Sequence, residues 1–97
     1  MKAATKKIIA DAIGDRKILK LRYKDVERVV RPHILGYVGH DDALALSGWQ
    51  VEGTGTGWRL FHLEDIHAMA PTEQRFHRTA PGYNRNDPAF SHILNRI

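Results

Sequence analysis

The 97-residue chain contains no cysteine, which excludes disulfide bonds, thiolate metal sites and cysteine nucleophiles together. It also has no apolar run close to the roughly 20 residues that a membrane-spanning helix needs. The basic N-terminus, residues 1–7, is followed by neither a continuous apolar segment nor a small-residue cleavage site, so no secretory signal is expected. These absences predict a small cytoplasmic domain.

Positive charge is almost missing from the middle of the chain. Residues 32–71 contain one arginine and five acidic residues, whereas residues 1–31 contain ten basic and four acidic residues. Residues 72–97 are basic again, and the formal net charge is +4. This distribution predicts a positive patch for an anionic partner. A solvated lysine-rich face that keeps the protein in solution explains the same counts.

Hydrophobic periodicity predicts one helix and five strands. Helical spacing of Ile8, Ile9, Ala12 and Ile13 indicates an amphipathic helix over residues 3–13, which Gly14 ends. Residues 18–24 alternate as in a half-buried strand, with the basic outer positions Lys20, Arg22 and Lys24. Further strands are predicted at residues 28–39, 43–51, 57–63 and 66–70. Pro32 is expected to bend the second strand or place it at an edge.

The C-terminal part of the sequence has the pattern of a loop followed by a helix. Residues 71–86 are rich in Pro, Gly, Asn and Arg, and Asp87 with Pro88 resembles a helix start. An apolar stripe then recurs at helical spacing: Phe90, Ile93, Leu94 and Ile97. The predicted fold class is therefore mainly β, a small five-stranded bent-sheet barrel with N- and C-terminal helices. Residues 1–76 form the barrel domain, and residues 77–97 pack on it or at a dimer interface.

One arginine lies within an apolar strand. Arg59 follows Trp58 and precedes Leu60 and Phe61. A guanidinium cannot be deprotonated, so burial requires a carboxylate, a set of carbonyls or an anionic ligand as its partner. The structural alternative to a ligand is an ion pair with one of the nearby acidic residues, Asp41, Asp42, Glu64 or Asp65.

Several segments together resemble the WYL domain family. They are Leu19–Tyr23, Arg28–His33, Leu44–Trp49 and, most clearly, Arg59–Ile66, which is similar to the family's Arg-x-Phe-x-Leu-x-x-Ile signature. The family's Trp-Tyr-Leu tripeptide corresponds to Leu44-Ala45-Leu46, so only its leucine is retained. The resemblance implies an Sm-like barrel. It also implies a sensor or dimerisation module of bacterial regulators that binds nucleotides or single-stranded nucleic acid.

The resemblance also implies roles for individual residues. Arg59 is the expected phosphate anchor, supported by Arg31 and His33, with Tyr23 and Trp49 as stacking surfaces for a base and Ser47 in the same ligand set. Apart from the resemblance, the basic outer positions Lys20, Arg22 and Lys24 together with Arg28 are the expected nucleic-acid contacts, although a solvated strand face explains the same pattern. No cofactor, metal or catalytic residue is expected. The competing hypothesis is a protein-interaction module, such as a homodimer, in which Arg59 is structural.

Enzymatic and metal sites find little support in the sequence. The six histidines include no His-x-x-x-His pair on a helix. Ser47 can be combined with His33 or His62 into a triad, but it has no nucleophile-elbow context. The glycine-rich segment 53–57 leads into a strand instead of a helix N-terminus, which predicts a hairpin loop and not a phosphate-binding loop. The sequence therefore predicts a non-enzymatic binding module.

Overall fold

The computed structural model describes residues 2–40 and 43–97. In this part of the chain, helix α1 is followed by six strands that all pair antiparallel in one sheet. The bounds are α1 Lys2–Asp15, β1 Lys17–Tyr23, β2 Val26–Val38, β3 Ala43–Glu52, β4 Gly57–His62, β5 Ile66–Arg75 and β6 Phe90–Arg96. A 3-10 turn, Leu63–Asp65, joins β4 to β5. The predicted N-terminal helix and the five predicted strands, which correspond to β1 to β5, are confirmed. The described helix is not long and apolar enough to cross a membrane.

The strands are ordered β4-β3-β2-β1-β5, and β6 pairs with β2. One edge of β2 changes partner along its length, from β1 up to Val30 to β6 from Ile34 onward. Pro32 lies in this gap, where its missing N–H costs no ladder hydrogen bond. The register with β3 also shifts between Pro32 and Ile34. The predicted edge position is wrong, because β2 lies between β3 and β1, and Pro32 instead coincides with a register shift inside the sheet.

The sheet curls strongly around the main core. Strands β1 and β4 are separated by β2 and β3, which in a flat sheet puts them about 14 Å apart. The rings of Tyr23 on β1 and Phe61 on β4 nevertheless have centroids 5.0 Å apart. The Tyr23 hydroxyl also accepts a hydrogen bond from the backbone N–H of His62 at 3.3 Å. We call the concave face, which packs on α1 residues such as Ile9 and Ile13, the inner face.

The predicted closed five-stranded barrel is not formed. Within residues 2–40 and 43–97, β4 pairs only with β3 and β5 only with β1, so the sheet stays open. The two unpaired edges belong to β4 and β5, because β1 is already paired with β2 on one side and β5 on the other. Between β1 and β4, contact is made by side chains such as Tyr23, without a backbone ladder.

The predicted C-terminal helix is wrong, because residues 90–96 form strand β6. Asp87 does act as a capping residue, since its carboxylate accepts a hydrogen bond from the Ala89 N–H at 2.9 Å. It makes a turn that is not continued as a helix. The second half of β2 offers an unpaired edge, and antiparallel pairing with it satisfies the β6 backbone. Gly36 permits this pairing, because a Cβ there would collide with the His92 carbonyl oxygen.

The β1–β2 hairpin turns at Lys24 and Asp25, so β1 ends one residue before the predicted bound and β2 begins two residues before it. Both residues have positive φ, +51° and +60°. Tyr23 pairs with Val26, so the loop has two residues and the geometry of a type I′ turn. Side chains other than glycine and asparagine are strained in this conformation.

We expect Asp25→Gly to raise the free energy of unfolding by about 0.5–1 kcal/mol, because glycine relieves the left-handed strain at the second turn position. Urea denaturation measures the change. Glu27→Gly, two residues later in β2, is the control and lowers stability, because glycine weakens a strand interior. A stability loss in Asp25→Gly as large as that in Glu27→Gly contradicts the turn assignment.

Candidate anion-binding sites on the two faces of the sheet

Arg31 has the least satisfied side chain of the described residues. Its Nε is buried and has no hydrogen-bond partner, and it is the one buried side-chain nitrogen or oxygen of residues 2–40 and 43–97 in this condition. Buried polar groups nearly always have partners, so such an orphan calls for an explanation, for example a ligand. The sequence places Arg31 in β2, and strand alternation with its cross-strand neighbours directs it to the outer, convex face.

Two tryptophans continue the row that Arg31 begins. Arg31 is the register partner of Trp49 on β3, and Trp49 is the register partner of Trp58 on β4. Directly opposed residues share a face, and the two indole rings meet edge to face with centroids 5.6 Å apart. Both tryptophans are partly exposed. The outer face therefore presents an arginine followed by aromatic surface.

His33 lies fully buried beside Arg31 under the loop of residues 76–89. Its Nε2 accepts a hydrogen bond from the Ala80 N–H at 3.0 Å, so its Nδ1 carries the proton and donates to the Arg31 carbonyl at 2.8 Å. Burial lowers the pKa of His33, the hydrogen bond to Arg31 raises it, and the charges of Arg31 and Arg16 lower it further, for a net decrease. His33 is therefore a neutral structural residue that positions the loop.

Aromatic rings enclose His33. Its ring lies 4.9 Å from that of Trp58, 5.1 Å from that of Tyr83 and 5.3 Å from that of Phe76. Trp58 and Tyr83 stack at 24° with centroids 6.0 Å apart, and the Trp58 indole N–H donates to the Pro81 carbonyl. These contacts hold the loop against the outer face.

Arg59 lies on the inner side of β4 at the end near the β3–β4 loop. Its guanidinium donates to two backbone carbonyls, that of Trp58 at 2.9 Å and that of Gly55 at 3.4 Å. The proposed ion pairs with Glu64 and Asp65 are not formed, and Asp41 and Asp42 lie outside the described residues. Two donated bonds leave three of its five N–H groups available. Arg59 is half-buried and is satisfied in part by carbonyls.

The arginine that is buried among aromatic rings is Arg28. It is 7% exposed, and its Cζ lies 5.4 Å from the ring centroid of Tyr23 and 5.8 Å from that of Phe61. Its guanidinium donates twice to the Tyr23 carbonyl and once each to the Gln50 and Thr54 side chains. Arg28 therefore does not belong to an exposed basic stripe. Its burial results from the curl of the sheet, which places it over the end of the core.

Gln50 and Thr54 extend this network into the glycine-rich loop. The Gln50 side-chain amide donates to the Thr54 hydroxyl at 3.0 Å and to the Gly55 carbonyl at 2.7 Å, the carbonyl that Arg59 also uses. Gly53 has a positive φ, and a Cβ there would meet the Arg28 side chain at 3.0 Å. Arg28 and Arg59 are thus joined through neutral groups.

The exposed basic positions of β1 border a shallow groove. Lys20 and Arg22 are exposed and pair across the ladder with Ala70 and Ala68 of β5. The groove between them has a volume of about 630 Å³. Lys24 lies in the following turn, with its ammonium 5.8 Å from the Tyr23 ring centroid. The groove is also lined by Glu27, the cross-strand partner of Arg22, and by His67, so its charge is mixed and not purely positive.

The structure separates the ligand set inferred from the sequence into two groups. The first group lies on the outer face under the loop: Arg31, His33, Ser47 and Trp49. Arg59 and Tyr23 lie on the inner side with Arg28. Strand β3 stands between β2 and β4, so Arg31 and His33 do not come from a strand next to Arg59.

Sequence reasoning missed four residues at these sites: Arg16, Trp58, Tyr83 and Gln50. Trp58 could have been found from the sequence, because pairing the third and fourth predicted strands places it opposite Trp49. The contacts of Tyr83 and Gln50 arise from loop packing, which no local pattern encodes. Residues 2–40 and 43–97 contain no group of three His, Asp or Glu side chains arranged to hold a metal ion.

Protein-family models, curated proteins and solved structures were compared with the chain, and none of them matches it. The resemblance to the WYL family rests on the sequence motifs alone.

Proposed function

We propose that the chain is a non-enzymatic, WYL-like regulatory module that binds a phosphate-bearing ligand, a nucleotide or single-stranded nucleic acid, in bacterial transcriptional or defence regulation. The observation that carries this proposal is the orphan Nε of Arg31. This buried nitrogen has no hydrogen-bond partner, and the ion pair found among the described residues, Lys7–Asp11, does not involve Arg31. A phosphate matches the planar fork of such a guanidinium and satisfies two donors at once.

The surroundings of Arg31 favour an anion over a cation. The nearby charged side chain that also acts on His33 is Arg16, and the only ion pair of the described residues is the distant Lys7–Asp11 pair on α1. Trp49, directly opposite Arg31, offers a ring on which a base can stack. Base–aromatic stacking contributes about 1–3 kcal/mol per base. An arginine beside a partly exposed indole can bind the phosphate and stack on the base of a nucleotide or a single strand.

The other basic residues support binding of a longer strand. Lys20 and Arg22 border the open groove on β1 and β5, and Arg59 keeps free donors at the β3–β4 loop. In this proposal they contact phosphates, while buried Arg28 adds positive field and positions the loop.

The test is fluorescence anisotropy with labelled single-stranded DNA and RNA at low and high salt. We expect binding at low salt that weakens as salt rises, because each neutralised phosphate releases condensed counterions. Arg31→Ala should weaken binding about tenfold and reduce the slope of log K against log salt by about 0.7. Arg78→Ala, which removes the same charge from an exposed loop position, is the matched control and should change little.

Two results contradict the proposal at different levels. Absence of binding by the unmodified protein at low salt rejects nucleic-acid binding, and it leaves the interaction-module hypothesis, for which the exposed ten-residue edge strand β5 is the available surface. Equal losses in Arg31→Ala and Arg78→Ala reject Arg31 as the anchor and leave a diffuse electrostatic contact.

A further inference from the structure

A small pocket lies on the outer face, beside the Arg31 row. It has a volume of about 150 Å³ and opens between the sheet and the loop of residues 82–87. Its walls include the rings of Trp58 and Tyr83, and Ser47 lies at its sheet side. Pockets for drug-sized ligands occupy roughly 300–1,000 Å³, so this one suits a single small ring system.

The polar groups that line the pocket have unused hydrogen-bonding capacity. Asp87 accepts one bond through Oδ1, from the Ala89 N–H, and its Oδ2 has no partner among the described residues. Asn84 accepts through Oδ1 from the Asn86 N–H, which leaves the two N–H donors of its side-chain amide. The Ser47 hydroxyl, on a residue that is 7% exposed, makes no side-chain hydrogen bond with the described residues. The pocket therefore offers a carboxylate acceptor, an amide donor and a hydroxyl beside two aromatic rings.

These groups complement the Watson–Crick edge of guanine. That edge presents the N1–H and the N2 amino group as adjacent donors, which a carboxylate can accept together, and O6 as an acceptor, which an amide N–H can satisfy. Adenine offers one amino group and no adjacent second donor. The aromatic walls supply the stacking that base pockets use.

The surroundings add positive charge for the rest of a nucleotide. Burial raises the pKa of Tyr83, and the charges of Arg85, Arg96 and Arg16 together with the hydrogen bond to the Ile97 carbonyl offset part of this increase. Trp58 is two strands from Arg31 in the same register row, a separation of about 10 Å that a ribose with its phosphates can bridge.

We propose that this pocket binds a guanine base, with Asp87 accepting hydrogen bonds from its N1–H and N2 amino groups and Trp58 and Tyr83 contacting its ring. The inference rests on the proposed function, because Arg31 then receives the phosphate of the same nucleotide. It adds a base preference that the proposed function does not contain.

The test compares GMP, AMP and ribose 5-phosphate by calorimetry and by backbone amide NMR shifts. We expect GMP to bind about ten- to a hundredfold more tightly than AMP, with shifts at the amides of Gly82, Tyr83 and Asn84. Asp87→Asn keeps an oxygen for the turn to Ala89 but replaces the second acceptor by a donor, so it should abolish the preference for GMP. Asp65→Asn, on the exposed 3-10 turn, is the matched control and should retain that preference.

Different failures identify different errors. If GMP, AMP and ribose 5-phosphate bind equally and all depend on Arg31, the phosphate site stands and the guanine pocket is overturned. If none of them binds and labelled single strands also fail to bind, the proposed function fails as well. Ser47→Val is a second variant for the case in which Asp87→Asn does not fold. It narrows the pocket from the sheet side and leaves the hydrogen bond between Asp87 and Ala89 in place. GMP binding unchanged in a folded Ser47→Val protein also overturns the pocket.

Discussion

Arg28→Ala is expected to lower the free energy of unfolding by about 3 kcal/mol, while Arg59→Ala lowers it by less than about 1 kcal/mol. The difference arises from what each guanidinium satisfies. Removing Arg28 leaves the Tyr23 carbonyl and the Gln50 side-chain oxygen without their donor in a buried region, at about 1–3 kcal/mol for each unsatisfied group. It also removes packing against the rings of Tyr23 and Phe61.

Arg59→Ala is the matched control for this prediction. Its two carbonyl partners lie at the part-exposed edge of the sheet, and water can replace the arginine there. Urea denaturation of both variants and of Arg28→Lys measures the contrast. Arg28→Lys keeps the charge but loses the fork that reaches Tyr23, Gln50 and Thr54 together, so it should fall between the other two. Equal losses for Arg28→Ala and Arg59→Ala contradict the assignment of Arg28 as the buried arginine.

The contrast between the two arginines shows what the sequence could and could not predict. Alternation predicts that Arg28 and Arg59 each lie in a strand, and both occur next to apolar residues. Which of them becomes buried depends on the curl that brings β1 and β4 together, a contact between residues 38 apart in sequence, Tyr23 and Phe61. The local sequence pattern contains no information on that contact. The apolar neighbours of Arg59 therefore pointed to Arg59 as the buried arginine, whereas Arg28 is the more buried of the two.

The elements were predictable where their signals are local. Helix α1 and strands β1 to β4 are indicated by spacing and by turn residues, and all appear close to their predicted bounds. Strand β6 was not predictable, because Phe90, Ile93 and Leu94 fit helical spacing and the competing partner is the open edge of β2. A start signal such as Asp87 fixes a turn, and tertiary pairing decides whether a helix or a strand continues from that turn.

The candidate site divides in the same way. The resemblance to the WYL family implied one ligand set around Arg59, and the structure places Arg31, His33, Ser47 and Trp49 on the outer face but Arg59 and Tyr23 on the inner side. The bulge at Pro32 explains why simple alternation could not show this, because it changes the side of the sheet that later residues of β2 face. The register shift allows both Arg31 and Ile34 to face outward, with His33 buried between them.

His33 provides the second large prediction, in which His33→Gln lowers the free energy of unfolding by about 2–3 kcal/mol and reduces its acid dependence. The side chain is fully buried, contacts three aromatic rings and makes two hydrogen bonds, so its loss leaves a cavity and an unpaired Ala80 N–H. Protonation of the wild-type ring has a related effect, because a proton on Nε2 would face the Ala80 N–H, with Arg16 and Arg31 nearby and no carboxylate partner.

The direction of the pH dependence is set by the lowered pKa. The unfolded chain, with a histidine pKa near 6.5, takes up a proton before the folded protein does. His33 therefore contributes its full stability above about pH 6.5 and loses it as the pH falls through that value toward the lower folded pKa, by at most about 1.4 kcal/mol per pH unit. Urea unfolding between pH 7.5 and about 5 measures this slope. His67→Gln, at an exposed position on β5, is the control and should keep the wild-type slope, whereas His33→Gln should lose that part of it. The same slope in His33→Gln and wild type would show that the loop is held without a neutral imidazole.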